Sequence, residues 1–225
     1  MRILLIGHGR MGKLVEALAA EHGCEIAAIA EIDRPVSAAL ARAGVVDVAI
    51  DFSQPSAVAA NIADLAANRV SVVVGTTGWQ DRERDLRDVA ERAGIGVLAA
   101  ANFSLGVHVF AAVVAEAAEK FGTLGNVGAW VHEAHHAAKL DAPSGTALML
   151  QRVMEEAGYA RPINMSSTRA GTIPGTHEVG FDGPAETVVL THTVRDRSVF
   201  VHGALEAAKW LKGRKGWFTM RDIIG

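Results

Sequence analysis

Apolar and polar positions follow two different rhythms along this chain. Ile3 to Ile6 is an unbroken apolar run, the pattern of a strand covered on both faces in a parallel sheet. Lys13 to His22 follows, with Leu14, Ala17 and Leu18 at helical spacing. The alternation then repeats. Strands are expected at Glu25 to Ala30, Val45 to Ile50, Val70 to Val74 and Gly96 to Ala101. Helices fall between them at Pro35 to Ala43, Ala57 to Ala67 and Gln80 to Arg92. Strand and helix in strict alternation specify an α/β unit with a doubly wound parallel sheet.

From Leu105 the rhythm changes. Val107 to Lys120 reads as a long helix, Val127 to Val131 as a strand, and Ser144 to Ala157 as a helix led by a serine cap behind Pro143. Strand-like stretches follow at Asn164 to Thr168, Glu186 to Thr193 and Ser198 to Val201, with Arg195-Asp196-Arg197 as the turn between the last two. Such a segment predicts a second α+β domain built on an open mixed sheet with helices on one face. Ala204 to Leu211 reads as an amphipathic helix, and Gly216 to Ile224 as a closing segment packed back on the first domain. The expected division is therefore residues 1–103 with about 204–225, and residues 104–203. Ala170 to Gly183 holds four glycines and Pro174 and reads as a mobile or oligomer-forming loop.

The first helix begins at Gly7-His8-Gly9-Arg10-Met11-Gly12. G-x-G-x-x-G between a strand and a helix start is the Rossmann dinucleotide fingerprint, where free backbone amides meet pyrophosphate. The competing reading is a glycine-rich packing turn. Glu31 ends the second strand, where an acidic residue holds the adenosine ribose hydroxyl and repels a 2′-phosphate. Glu31 thus favours NADH, Arg34 nearby pulls the other way, and a solvated strand-end carboxylate is the plain alternative. Ligands lie at the carboxyl ends of such strands. Phe52, Gly75, Thr76 and Thr77, and Ala100, Ala101, Asn102 and Phe103 are therefore expected around the same cofactor.

Composition narrows the field. Of the 225 residues, 50% are hydrophobic and 21% charged, with a formal net charge of −3. This describes a soluble globular protein and argues against a general nucleic-acid binder. The single cysteine, Cys24, cannot form an intrachain disulfide and reads as packing. No apolar run reaches the roughly 20 residues that span a bilayer, and the apolar start is too short for a signal peptide. A cytoplasmic protein without membrane contact is expected.

The densest chemistry lies between Glu133 and Ala147. His132-Glu133-Ala134-His135-His136 contains H-E-x-x-H, a zinc-hydrolase signature that needs both histidines on one helix face. Here it follows a strand-like run and soon meets Pro143, so little helix remains and no metal is expected. Acid catalysis in a reductase is the stronger reading. Histidine can give up a proton at neutral pH, Lys139 can bind a carboxylate or a developing anion, and Gly145 and Thr146 offer amides at a helix start. A reductase of another small imine or oxo acid would share the glycine loop alone.

Gly7 to Gly12, Asp51-Phe52-Ser53, Gly75-Thr76-Thr77-Gly78, Ala100 to Ser104, Glu133 to His136 with Lys139 to Ala147, and Met220-Arg221-Asp222 together resemble the 4-hydroxy-tetrahydrodipicolinate (dihydrodipicolinate) reductase family. The resemblance runs almost the whole length in motif order. It implies reduction of a cyclic dicarboxylate on the diaminopimelate route to lysine, with NADH or NADPH. It further implies His135 as proton donor and Lys139 as the second catalytic residue. His136, Ser144, Gly145, Thr146, Thr77 and Arg197 would contact substrate, and a homotetramer would form through the second domain. Three departures are visible. The glycine loop is shorter than the G-x-x-G-x-x-G of many members; Ile32 stands where many carry arginine after the strand-end glutamate, so NADH is slightly favoured; and Ala137-Ala138 replaces a more basic pair.

Overall fold

The structure, a computed structural model, describes residues Met1–Ile224. It divides into two compact units, Met1–Leu105 with the segment from Ser198 onward, and Gly106–Arg197.

The first unit holds six parallel strands: β1 (Arg2–Ile6), β2 (Glu25–Ala30), β3 (Val48–Asp51), β4 (Ser71–Val74), β5 (Gly96–Ala99) and, from the end of the chain, β10 (Gly216–Phe218). Their spatial order is β10-β5-β4-β3-β1-β2. Period-two alternation sends each strand's side chains to two separate cores. Leu4, Ile6, Ala49, Val72, Val74 and Val97 pack under α2 (Val36–Ala43), α3 (Pro55–Ala67) and α4 (Glu83–Ala93). Ile3, Leu5, Val48, Ile50, Val73 and Leu98 pack under α1 (Arg10–Leu18) and α7 (Ser198–Leu211). Both faces are covered, which is why these strands are continuously apolar. The connection reverses between β1 and β3, so the loops after those strands flank the switch point.

The second unit is a mixed sheet, β7-β6-β8-β9, with β6 (Gly128–His135) parallel to β7 (Ile163–Arg169) and antiparallel to β8 (Thr176–Asp182), which pairs antiparallel with β9 (Thr187–Thr193). One face is covered by α5 (Leu105–Gly122) and α6 (Gly145–Glu156), through a core that includes Val114, Leu150, Met154, Val131, Val179 and Phe181.

Three expectations require correction. Ser198 to Val201 is the first turn of α7, not a strand: Val201, Ala204, Leu205, Ala208 and Leu211 are buried at helical spacing. Tertiary packing overrides the local β-branched run, and the close seat requires Gly203, where a Cβ would lie 1.7 Å from the Phe103 carbonyl oxygen. Residues 176–182, inside the expected glycine loop, form β8, paired on both sides. Its Gly180 leaves room for the Trp130 ring, which a Cβ would meet at 2.1 Å. Finally, the strand expected to stop at Val131 runs on to His135.

Candidate active site

In the first unit the glycine loop is held by its own backbone. Gly7 has φ +87°, and a Cβ there would sit 2.5 Å from the Phe52 carbonyl oxygen, so the loops after β1 and β3 touch. A Cβ on Gly12 would lie 2.1 Å from the Gly7 carbonyl oxygen, whereas one on Gly9 would meet nothing within 4 Å. Gly9 is the N-cap of α1 with no side-chain cap, which leaves the first amides of the helix, those of Arg10, Met11 and Gly12, without intrahelical partners. This open, uncapped helix start fits a pyrophosphate. His8 pairs with Glu16 at 2.7 Å beside it. Glu31 is exposed after β2 and exchanges backbone hydrogen bonds of 2.9 and 3.0 Å with Arg34, while Ile32 is 91% exposed.

Asp51 was not among the expected site residues, yet it ties the loop after β3 to α3 and to the loop after β4. Its buried carboxylate accepts from the Ser53 amide at 2.8 Å, Asn61 Nδ2 at 2.8 Å and Thr76 Oγ1 at 3.1 Å. Trp79 Nε1 then donates to the Thr76 carbonyl at 2.6 Å. Phe52 and Phe103 meet edge to face at 6.1 Å, and Gly75 is bare because any Cβ would lie 2.1 Å from the Phe52 ring. Thr77 and Ala101 are exposed, Ala100 and Asn102 half-buried, with the Ser104 amide donating to Asn102 Oδ1 at 2.8 Å.

In the second unit β6 alternates strictly, and its buried positions are Ala129, Val131, Glu133 and His135. The apolar side of the strand thus becomes ionisable at its last two inward positions. His135 Nδ1 bonds to Glu133 Oε2. Arg169, at the end of β7, reaches across with Nη1 on Oε2 at 2.9 Å and Nη2 on Oε1 at 2.6 Å, and also donates to the Asp141 carbonyl. The Ser144 amide donates to Glu133 Oε1 at 3.3 Å. Ser144 caps α6 by accepting from the Ala147 amide at 3.2 Å, and its hydroxyl lies 3.1 Å from His177 Nε2. Gly145 is exposed and Thr146 half-buried at the helix start.

The electrostatics follow from these contacts. Burial pushes the Glu133 carboxyl up, but hydrogen bonds from Arg169, Ser167 and His135 outweigh it and hold the group at about 2. Burial lowers His135 below the ordinary histidine value despite the Glu133 carboxylate, and Lys139 and Arg169 push the same way as burial. His177, on β8, falls to about 4, mainly through burial. Lys139 is half-buried and bound to Asp141 at 2.8 and 2.9 Å, which holds the Asp141 carboxyl below its usual range. His136 lies half-buried past the end of β6, and Arg197 is exposed before α7, outside this network.

The embedded zinc motif is not assembled. His132 is on the opposite sheet face from Glu133, bonded to Ser166 Oγ at 2.8 Å. His132 lies within the strand and His136 past its end, so the two histidines do not share the helix face that the motif requires. A different trio does converge among the described residues: Glu133, His135 and His177 each offer an atom within 4.8 Å of the others. Arg169 already occupies both Glu133 oxygens, so an ion would have to displace a guanidinium. Sequence patterns hid Arg169 and His177 because both depend on pairing between strands distant in the chain; the alternation Thr176-His177-Glu178-Val179 was the available signal.

Residues 1–103 match the family described as dihydrodipicolinate reductase, N-terminus, and residues 106–224 the family described as dihydrodipicolinate reductase, C-terminus. Among named relatives, a 4-hydroxy-tetrahydrodipicolinate reductase of Christiangramia forsetii is 34% identical over 100% of this chain and 98% of its own length. One from Methanoregula boonei is 38% identical, over 90% of this chain and 82% of its own. A solved structure, dipicolinate-bound dihydrodipicolinate reductase from Paenisporosarcina sp. TG-14, shares the fold with TM-score 0.80 at 21% identity, covering 97% of each chain. The chain belongs to the dihydrodipicolinate reductase family.

Proposed function

We propose that this chain reduces 4-hydroxy-tetrahydrodipicolinate to tetrahydrodipicolinate with NADH or NADPH, in the diaminopimelate route to lysine. The observation that carries the reading is the buried Glu133–His135 pair beside the capped start of α6. In net terms a hydroxyl leaves as water and a hydrogen takes its place, which consumes one hydride and one proton. A bound dihydronicotinamide supplies the hydride. Gly9, Arg10, Met11 and Gly12 would hold its pyrophosphate and Glu31 its adenosine ribose, with His8, Phe52, Gly75, Thr76, Thr77, Ala100, Ala101, Asn102 and Phe103 lining the remainder. The exposed Glu31 carboxylate and the apolar Ile32 beside it support a slight preference for NADH.

His135 delivers the proton from Nε2. A dianionic substrate raises the proton affinity of a histidine that burial has lowered, which favours the charged acid in the substrate complex. Gly145 and Thr146 seat one carboxylate on helix amides. Lys139 exchanges its Asp141 partner for the other carboxylate, with Ser144, His136 and Arg197 completing recognition on the second unit. The sheet face opposite α5 and α6, where Val189 on β9 is 46% exposed, supports tetramer formation through this unit. Among the described residues no helix is long and apolar enough to cross a membrane, and a cytoplasmic setting is proposed.

The test is substrate-dependent oxidation of NADH and NADPH in a coupled assay with freshly generated substrate. Wild-type turnover is expected with both cofactors, and kcat/KM for each gives the preference. His135→Gln should lower kcat on the order of 10²–10⁴-fold, the worth of a positioned acid, and near wild-type turnover in that variant would refute the assignment.

A further inference from the structure

We infer that Glu133, clamped by Arg169, is a positioning residue that fixes the tautomer and aim of His135 and links the acid to the carboxylate seat at Ser144. The inference rests on the reductase reading for what the acid is used for, but its geometry stands apart from it.

Glu133 has no exposure at all and occupies a core-facing position of β6 after Ala129 and Val131, where an apolar side chain would complete the packing. A carboxylate taken from water costs several kcal/mol before its partners offset it. Replacing a buried ion pair with apolar residues is often neutral or stabilising, so stability alone gives no reason for the group. Its contacts do. Oε1 accepts from Arg169 Nη2 and the Ser144 amide, and Oε2 accepts from Arg169 Nη1 and meets His135 Nδ1.

An ionised carboxylate accepts and cannot donate. The hydrogen between the two side chains therefore belongs to His135 Nδ1, and the transferable proton must ride on Nε2. That nitrogen faces bare backbone, since a Cβ built on Gly175 would lie 3.1 Å from Nε2 and 3.3 Å from Cδ2. Arg169 ensures that Glu133 stays charged, and its bond to the Asp141 carbonyl extends the network to the loop that holds Lys139. One carboxylate thus connects the acid on β6, the capped start of α6 and the loop bearing the cation.

The charged and titratable groups around His135 are Glu133 on its own strand, Arg169 on β7, His177 on β8 and Lys139 on the following loop, with Asp141 and His192 beyond them. Of those acting directly on His135, Glu133 is the one that raises its proton affinity, and Lys139 and Arg169 lower it. Glu133→Gln should therefore move the alkaline fall of kcat/KM to lower pH and reduce kcat at neutral pH by at least about tenfold, with the NADH dissociation constant unchanged. Glu133→Asp, which keeps the charge on a shorter stem, should return the pH position toward wild type while kcat stays reduced. A strut with no electrostatic role would weaken folding without moving the pH limb, and an unmoved limb in folded Glu133→Gln overturns the inference. Nitrogen NMR of the wild-type protein gives an independent answer that needs no variant: neutral His135 should carry its hydrogen on Nδ1, and an Nε2–H tautomer overturns it. If the wild type oxidises neither cofactor with substrate, the reductase reading fails instead, and the tautomer result still decides the geometry.

Discussion

Lowering the pH from 7 to 5 should weaken the protein through His177. The ring is 4% exposed, sits between β6 and β9 on β8, and has one nitrogen on Ser144 Oγ at 3.1 Å and the other, Nδ1, without a partner. Its folded-state value of about 4, set mainly by burial, stands against 6.5 for the unfolded chain. Between those two pH values the unfolded chain binds a proton that the folded chain refuses, so stability rises with pH across the window and falls as pH is lowered through it. Integrating from pH 7 to 5 gives a loss of about 2 kcal/mol from this one group, or roughly 4–8 °C in Tm for a chain of this size. Glu133 contributes almost nothing there, because its own window lies between 4.5 and about 2. The assay is urea denaturation at pH 7 and pH 5 for wild type and His177→Gln, whose amide does not titrate. The variant is less stable at pH 7 for want of matched packing, but its difference between the two pH values should be smaller than that of wild type by about 2 kcal/mol. Equal differences in the two proteins would refute the assignment of His177 as a buried neutral ring.

Two further substitutions probe the two ligand regions separately. Gly12→Ala places a Cβ 2.1 Å from the Gly7 carbonyl oxygen; it should weaken NADH and NADPH binding by at least about tenfold, one 1.4 kcal/mol step, as read by fluorescence titration, while substrate-analogue binding to the second unit stays unchanged. Gly175→Ala puts a methyl 3.1 Å from His135 Nε2 on backbone at φ +152°; it should lower kcat/KM for substrate and leave the nicotinamide dissociation constant as in wild type.

β1, β3, β4 and β5 were legible because each is a short apolar run buried on both faces, a signal that needs no knowledge of distant residues, whereas β10 read only as a closing segment because its pairing with β5 joins distant parts of the chain. Gly7, Gly9 and Gly12 were equally legible, since a strand, a tight turn and a helix start are adjacent in sequence. His135, Lys139, Ser144 and Gly145 stand in one stretch and could be named together. What sequence left hidden is long-range. Arg169 meets Glu133 only because β7 lies parallel to β6, and His177 approaches His135 only because β8 pairs antiparallel to it. The first turn of α7 was misread because Val199, Phe200 and Val201 favour a strand locally, and the helix follows from packing against the sheet over Gly203. Asp51 was visible in a motif, but its joining of two loops and α3 required the folded sheet.

The order in which the chain leaves the ribosome has a bearing on when it becomes able to work. Gly106–Arg197 is one uninterrupted segment, whereas the first unit is built from segments on both sides of it. Until α7 has been made, the sheet face carrying Ile3, Leu5, Val48, Ile50, Val73 and Leu98 lacks one of the two helices that cover it, and until Gly216–Phe218 emerges β5 remains an unpaired edge. Such surfaces are sticky in a nascent chain. The second unit is therefore free to mature during synthesis while the first waits for α7 and β10, and a deletion that removes β10 will be felt first in nucleotide affinity and in the yield of protein recovered from cells.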